Sequence, residues 1–165
     1  MSKFSLLQEL YSLAPQMTVA NNYNFNWSAV KSWDNGAFIV EDAPKLHIIF
    51  LPEQNNDASN GVGNNFQQII IPMEIKFGKT LTAPSMALDV SDYQLEELES
   101  KMIEDISKMY ASPFKINTTN APEYCGTEYT GEGDINDAEE NLDAYTVVGS
   151  MLFDITFKRD RRINE

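Results

Sequence analysis

Two long stretches of the sequence alternate between apolar and polar residues with a period of two, and they constrain the fold more than any other feature. The first spans 68–77, and its odd-numbered residues are Ile69, Ile71, Met73, Ile75 and Phe77. The second spans 145–157, and its odd-numbered residues are Tyr145, Val147, Gly149, Met151, Phe153, Ile155 and Phe157. Because successive side chains of a strand point to opposite faces, each stretch predicts a long strand with one buried face.

Further strands are predicted before the first long one. Residues 45–51 place apolar side chains on both faces of a strand, which predicts burial on both sides or a position at an interface. Residues 37–41 predict another strand, after a turn at 34–36. Pro72 has no N–H to donate, so the first long strand is predicted to lie at a sheet edge or to contain a bulge there.

An aromatic segment precedes these strands. Tyr23, Phe25 and Trp27 alternate with asparagines, which predicts a short strand or an extended segment. No Lys or Arg lies among the three rings. Packing in the core or between subunits is therefore a better interpretation than stacking on nucleic-acid bases.

Two helices are predicted from apolar residues three and four positions apart. Residues 3–13 form the first, with Ser2 as its N-cap and Pro15 just past its end. The second begins at a capping box of Ser91 and Gln94 and is stopped by Pro113. Its apolar stripe consists of Leu95, Leu98, Met102, Ile106 and Met109, joined by Ile103 and Tyr110, and its outer side carries the i,i+4 pairs Glu97–Lys101 and Glu104–Lys108.

This order of elements predicts a single α+β domain over residues 1–165. The expected architecture has two layers, a mostly antiparallel sheet with two helices packed on one face. Polar loops are expected near 52–65 and 114–143. The second of these regions also holds a possible short strand at 123–131, followed by an acidic loop at 132–143.

Charge is distributed very unevenly along the chain. The net charge is −13, which disfavours binding to nucleic-acid phosphates and to anionic membrane surfaces. Between Ile116 and Phe157 there are nine Asp and Glu and no Lys or Arg, whereas residues 158–162 contain four positive charges, including all three arginines. The sequence has no apolar run long enough for a membrane span and no signal-peptide pattern at its N-terminus, so we expect a soluble protein made in the cytoplasm.

No catalytic, cofactor or metal motif is found in the sequence. Cys125 is the single cysteine and His47 the single histidine, and no surrounding motif makes them a catalytic pair or a zinc site. Residues 134–139 resemble a calcium loop only faintly, since Ala138 and Glu139 occupy the positions of an oxygen ligand and the turn glycine. Many carboxylate pairs are available, but none is singled out for glycosidase chemistry. We therefore predict a protein that is not an enzyme and binds no cofactor.

The layout of the chain resembles the tail terminator, or tail completion, proteins of long-tailed bacteriophages. An N-terminal helix leads to the aromatic-rich "YNFNWSAVKSW" and to "AFIVEDAPKL". A central strand, "FQQIIIPMEIKFG", precedes the second helix, "LEELESKMIEDISKMYASP". An acidic stretch and a long strand ending in "MLFDITFKRDRR" follow, and only the insert at 131–143 fits the family layout poorly.

The resemblance implies a structural protein of the virion, at the junction of tail and neck. Such a protein forms a ring, usually a hexamer, that caps the tail tube, stops its elongation and presents the surface that joins the head connector. Its implied partners are further copies of itself, the tail tube protein and the head connector or neck protein. A connector or tube-like subunit is the nearest alternative.

Ring assembly suggests a role for the separated charges. A closed ring repeats one heterologous contact, which needs two different complementary patches on each chain. The hypothesis is that a basic patch meets an acidic patch of the next subunit or of a partner ring, and the residues concerned are Lys158, Arg159, Arg161 and Arg162 on one side and Glu132, Asp134, Asp137, Glu139, Glu140 and Asp143 on the other. An exposed, solubilising tail beside a solvated loop is the alternative.

Two further expectations follow from the acidity of the chain. An acidic inner surface of the ring would let genomic DNA pass through the lumen without specific binding. A different class of function is an acidic DNA mimic that inhibits a DNA-binding enzyme, which the net charge fits and the terminal basic cluster does not.

Overall fold

The computed structural model describes residues 3–30, 43–55, 66–82, 92–111, 124–132, 136–141 and 144–160. Helix α1 spans Lys3–Leu13, as predicted, and two short 3-10 turns follow it at Ala14–Gln16 and Val19–Asn21. Helix α2 spans Asp92–Tyr110. The strands are β1 (Ser28–Ala29), β2 (Lys45–Phe50), β3 (Gln54–Asn55), β4 (Phe66–Thr82), β5 (Tyr124–Glu132), β6 (Asn136–Asn141) and β7 (Ala144–Asp160).

All seven described strands belong to one sheet. Its main order is β1-β2-β4-β7-β5, with β3 added beside β4 and β6 added beside β7. Only β1 and β2 are parallel, so the predicted α+β class with a mostly antiparallel sheet is confirmed.

The centre of the sheet is the pair formed by β4 and β7. Each strand is 17 residues long, and their register runs without a shift from Phe66 opposite Asp160 to Thr82 opposite Ala144. The two alternating stretches of the sequence therefore face each other. Because directly opposite residues share a face, their odd-numbered residues lie on one face of the sheet, and the apolar side chains described there between Ile69 and Phe77 and between Val147 and Ile155 form one apolar surface.

That apolar surface is the base of the hydrophobic core. Residues of both helices join it in a single cluster, whose fully covered members include Leu6 and Leu10 of α1 and Met102 and Ile106 of α2. In the strands the cluster contains Leu46, Ile48, Ile69, Ile71, Met73, Ile75, Phe77, Val147, Met151, Phe153 and Ile155. Both helices are further tied to each other, since the Tyr110 hydroxyl donates to the Leu10 carbonyl oxygen at 3.0 Å.

Helix α2 follows its predicted stripe. Leu98, Met102, Ile106, Met109 and Tyr110 are buried and Ile103 is half-buried, while Ser91 and the side chains of Gln94 and Leu95 lie outside the described part. The Lys101 ammonium lies 3.0 Å from the Glu97 carboxylate, as predicted. Among the described side chains, Lys108 forms no ion pair with its predicted partner Glu104, and its ammonium donates to the Asn22 carbonyl oxygen at 2.8 Å.

Pro72 does not mark a sheet edge, and that prediction is wrong. Strand β4 is central, and it pairs with β7 through Pro72 without a bulge. The strand pairing is interrupted beside β4 instead, because β2 ends at Phe50 and β3 begins only at Gln54. The Leu51 N–H still donates to the Pro72 carbonyl oxygen at 2.8 Å. The missing N–H of Pro72 therefore faces the gap between β2 and β3, where no ladder bond is required.

The two predicted polar loops are partly strands. Gln54–Asn55 of the region 52–65 pairs with β4, and the region 114–143 contains β5 and β6. Polar composition suggested a loop, but an edge strand needs backbone pairing on only one side. Strand β7 supplies this pairing to β5 and to β6. The strand predicted at 37–41 and the turn at 34–36 lie outside the described residues.

The aromatic segment is not a regular strand. Tyr23 and Trp27 are buried in the core, Phe25 is half-buried, and pairing in this part of the chain begins only at β1. Its predicted packing role is supported by the burial of these rings. Phe25 and Trp27 contact edge to face, with ring centroids 6.4 Å apart.

Candidate assembly interface

The acidic stretch of the sequence is built against the first half of β7. Strand β6 places Glu139 opposite Thr146 and Glu140 opposite Tyr145, and a register shift separates them from the pair of Asn136 and Val148. Asp137 lies within this shift. Asp134 and Asp143 lie outside the described residues. Three of the predicted acidic residues thus share one short strand.

The sixth acidic residue, Glu132, stands apart from this strand. It ends β5 and lies opposite Met151, five residues further along β7 than Thr146. The acidic residues are therefore spread along one side of β7 rather than gathered in a compact cluster. An extended strand also cannot wrap around a cation as a calcium loop does, so β6 excludes the calcium-loop interpretation for its own residues.

The basic residues that the structure describes lie at the other end of β7. Lys158 is opposite Gln68 and Arg159 opposite Gln67 of β4. On its other side, the last pair of β7 with a described residue of β5 is Phe157 with Tyr124. Arg161 and Arg162 lie outside the described part of the chain.

Register therefore separates the two kinds of charge. From Thr146, opposite Glu139, to Arg159 the strand advances thirteen residues, or about 40 Å at roughly 3.3 Å per residue. The Debye length at physiological ionic strength is about 8 Å. Within one chain, the acidic strand and the basic strand end are several screening lengths apart and cannot neutralise each other.

A second polar feature, missed by the sequence analysis, is the buried carboxylate of Asp105. It is 1% exposed and accepts hydrogen bonds from the Asn24 backbone N–H at 2.9 Å, the Asn24 side-chain amide at 2.9 Å and the Trp27 Nε1–H at 2.8 Å. The Phe25 N–H adds a fourth donor at 3.2 Å. These donors satisfy the carboxylate fully, so Asp105 fixes the aromatic segment onto α2.

Asp105 had a recognisable signal in the sequence. It lies three residues after Met102 and four before Met109, within the apolar stripe of α2. An acid on that face must be paired when the face is buried. The local pattern does not reveal which residues pair with Asp105, because all four donors are about 80 residues earlier in the chain.

Lys108 strengthens the same junction from the end of α2. Its ammonium lies 4.5 Å from the centroid of the Tyr23 ring while it donates to the Asn22 carbonyl oxygen. Asn22 adopts the left-handed conformation with φ of 67°, which asparagine tolerates better than most residues. Burial, and secondarily the Asp105 charge, raises the pKa of Tyr23 above its ordinary value, so its phenol is neutral at physiological pH.

No catalytic pair forms between the single cysteine and the single histidine. Cys125 lies in β5 and His47 in β2, with β4 and β7 between these strands. Three strand spacings separate their backbones by about 14 Å in the sheet plane alone. Within the described residues no group of three or more His, Cys, Asp or Glu side chains could hold a metal ion.

Two comparisons bear on identity. The chain matches no protein-family model, and no curated protein matches it.

Neither helix in the described part of the chain is both long and apolar enough to span a membrane.

Proposed function

We propose that this chain is a structural subunit of a bacteriophage tail, which forms a ring on the end of the tail tube, stops its elongation and offers the surface that joins the head. The role involves no catalysis. The proposed partners are further copies of the chain in a ring of about six, the tail tube protein and the head connector. The assembled protein would lie at the tail–neck junction of the virion.

One observation carries this proposal: the acidic residues of β6 lie beside the start of β7, and the basic residues Lys158 and Arg159 lie near its far end, too far away to interact with them within one chain. A heterologous contact needs two different patches on each subunit, and two oppositely charged patches at the two ends of β7 fit this requirement. An isologous dimer would need a single self-complementary patch instead. The likeness of the chain layout to tail terminators supports the further step from ring to phage tail.

The proposed contact between subunits is electrostatic. The strand end at Lys158 and Arg159 would meet the carboxylates of Glu139 and Glu140 on the next subunit. Such pairs affect association rate and partner choice more than affinity, and salt weakens them. The remaining acidic residues would give the ring a negative inner surface, past which DNA slides without specific binding.

Charge reversal tests the contact. The triple variant Arg159→Glu, Arg161→Glu, Arg162→Glu should form fewer rings, measured by light scattering and by electron microscopy of purified protein. It should also join fewer heads to tails in a complementation assay. Glu139→Lys with Glu140→Lys should have the same effect from the other side. Combining both sets should restore assembly in part, because the reversed charges are again complementary.

The matched control is Lys101→Glu, which makes the same change in charge per residue on an exposed face of α2, beside Glu97. It should assemble as the unmodified chain does. Unchanged ring formation and unchanged head joining in the triple variant would rule out the proposed contact.

The net charge of −13 favours a second candidate, an acidic DNA mimic that binds a DNA-binding enzyme. Light scattering separates the two. A closed oligomer at high protein concentration supports the ring, whereas a monomer or dimer that captures a DNA-binding enzyme supports the mimic.

A further inference from the structure

Strands β5 and β6 follow one another along the same side of β7. Strand β4 pairs with the whole length of β7 on one side, so β6 and β5 both lie on the other side. Strand β6 pairs with β7 between Ala144 and Val148, and β5 pairs with it between Met151 and Phe157. We call this row of two strands the β5–β6 edge.

The proposed contact between subunits needs more of this edge than the carboxylates of β6. Ion pairs at a protein surface contribute little to affinity, because solvent and salt screen them. A specific interface typically buries about 800 Å² on each partner, which two carboxylates do not provide. A copy bound at Glu139 and Glu140 therefore has to contact a further part of the surface, and β5 continues the edge on which these residues lie.

Tyr129 places an exposed aromatic ring on this continuation. It lies opposite Phe153, which is seven residues along β7 from Thr146, the partner of Glu139, or about 23 Å at roughly 3.3 Å per residue. The Tyr129 side chain is 41% exposed, and its neighbours at 128 and 130 are exposed as well. The other large apolar side chains that are exposed in the described part of the chain lie outside both strands, and these are Phe4, Val19 and Leu51.

The inner side of the Tyr129 ring is held by the core. Its centroid lies 5.6 Å from that of the fully buried Phe153 ring, at an interplanar angle of 60°. An aromatic side chain loses little conformational entropy when a partner covers it, and tyrosine is enriched among the residues that contribute most to binding. The outer side of this ring is thus suited to contact with another chain.

We propose that Tyr129 is the anchor of the contact between neighbouring copies of this chain. It packs against the copy whose basic strand end, at Lys158 and Arg159, meets β6. Charge complementarity identifies the occupant of the edge as a second copy, because residues 158–162 carry four positive charges and the edge carries the acidic residues Glu128, Glu132, Asp137, Glu139 and Glu140. This inference rests on the proposed ring and adds the residue that contributes most to holding it together.

The test is Tyr129→Ala, compared with Tyr129→Phe and Phe4→Ala. Tyr129→Ala should raise the dissociation constant of the ring by about tenfold or more, measured by light scattering over a range of protein concentrations. Tyr129→Phe keeps the aromatic ring and should assemble as the unmodified chain does. Phe4→Ala removes an aromatic side chain that is 66% exposed on α1, and it should also assemble normally. Near-UV circular dichroism verifies that each variant is folded.

A second measurement keeps an aromatic group at position 129, so it does not depend on the folding of Tyr129→Ala. Incorporation of the photo-crosslinking amino acid p-benzoylphenylalanine in place of Tyr129 should give covalent dimers on irradiation. The same amino acid in place of Phe4 should not.

The two proposals fail in different ways. Normal assembly of folded Tyr129→Ala, or the absence of crosslinked dimers from position 129 in a chain that still forms rings, would overturn the anchor and leave the ring in place. An unmodified chain that forms no closed oligomer at high concentration and joins no heads to tails would instead overturn the proposed function, and the anchor with it.

Discussion

Trp27 and Asp105, which lie 78 residues apart in the sequence, are joined by a hydrogen bond of 2.8 Å from the indole Nε1–H to the carboxylate Oδ2. Both residues are buried, and the carboxylate is shared with the backbone of Asn24 and Phe25. The bond therefore connects the aromatic segment to the centre of α2 through one side chain. Its loss should affect the fold as a whole rather than one loop.

We predict that Asp105→Ala lowers the free energy of unfolding by about 3 kcal/mol, because it removes the acceptor of several buried donors at once. Urea unfolding followed by tryptophan fluorescence measures this. Glu104→Ala is the matched control, since Glu104 is the exposed neighbour on the same helix, and it should change stability by no more than about 0.5 kcal/mol. Equal effects of the two variants would show that Asp105 does not hold the segment.

Periodic burial is the part of this fold that the sequence predicted well. Helix α1 has its predicted bounds, and Ile71 and Phe153 lie on the buried face that alternation assigned to them. These predictions succeed because the pattern of each element is local. Whether β4 and β7 pair, and in which register, is decided between segments more than 60 residues apart.

The wrong predictions, by contrast, concern features that depend on contacts between distant segments. Strand β6 looks like a loop because its own residues are polar, and it becomes a strand because β7 offers it an edge. Pro72 suggested an edge, yet the gap that accommodates it lies in the neighbouring strand. For the candidate interface, the sequence predicted which residues carry the charges, but their separation along β7 follows only from the register.

A close cross-strand contact yields a second prediction. Gly149 lies opposite Phe77, and a Cβ on Gly149 would approach the Phe77 Cζ atom to 2.8 Å and Cε2 to 3.1 Å. Phe77 is fully buried, and interiors are closely packed, so shifting its ring would displace core neighbours. Gly149→Ala should therefore destabilise the protein by about 1–3 kcal/mol, measured by thermal or urea unfolding.

A double-mutant cycle controls this prediction. Phe77→Leu removes the atoms that the new methyl group would meet, although it leaves a cavity of its own. The double variant should be more stable than the sum of the two single changes predicts, by about 1 kcal/mol. Additive effects would show that Gly149 is required for some reason other than the Phe77 ring.

Alkaline pH should destabilise the protein through its buried tyrosines. Tyr110 is 2% exposed, and burial raises the pKa of its phenol far above 10, the value of an ordinary tyrosine. Below pH 10 both the folded and the unfolded chain hold this proton, and the stabilisation is complete. Above about pH 10 the unfolded chain releases it while the folded chain does not, so the unfolded state gains stability as pH rises.

For Tyr110 alone, the free energy of unfolding should fall by up to about 1.4 kcal/mol per pH unit above pH 10. The pKa values of Tyr11 and Tyr23 are also raised, chiefly by burial, and act in the same direction. Tyr110→Phe removes the largest of these contributions, so the free energy of unfolding of this variant should decline less steeply as pH rises. At neutral pH the variant should be less stable by about 1–2 kcal/mol, because the Leu10 carbonyl loses its donor.

Urea unfolding between about pH 8 and pH 11 measures both effects on the same samples. The free energies of unfolding of the two proteins should approach each other as pH rises. The Tyr110 hydroxyl stabilises the fold at neutral pH, but at high pH the folded state cannot release its proton whereas the unfolded state can. Tyr129→Phe, at an exposed position, controls for the removal of a phenol. Parallel curves for the unmodified chain and Tyr110→Phe would mean that the Tyr110 phenol ionises as readily in the folded protein as in the unfolded one.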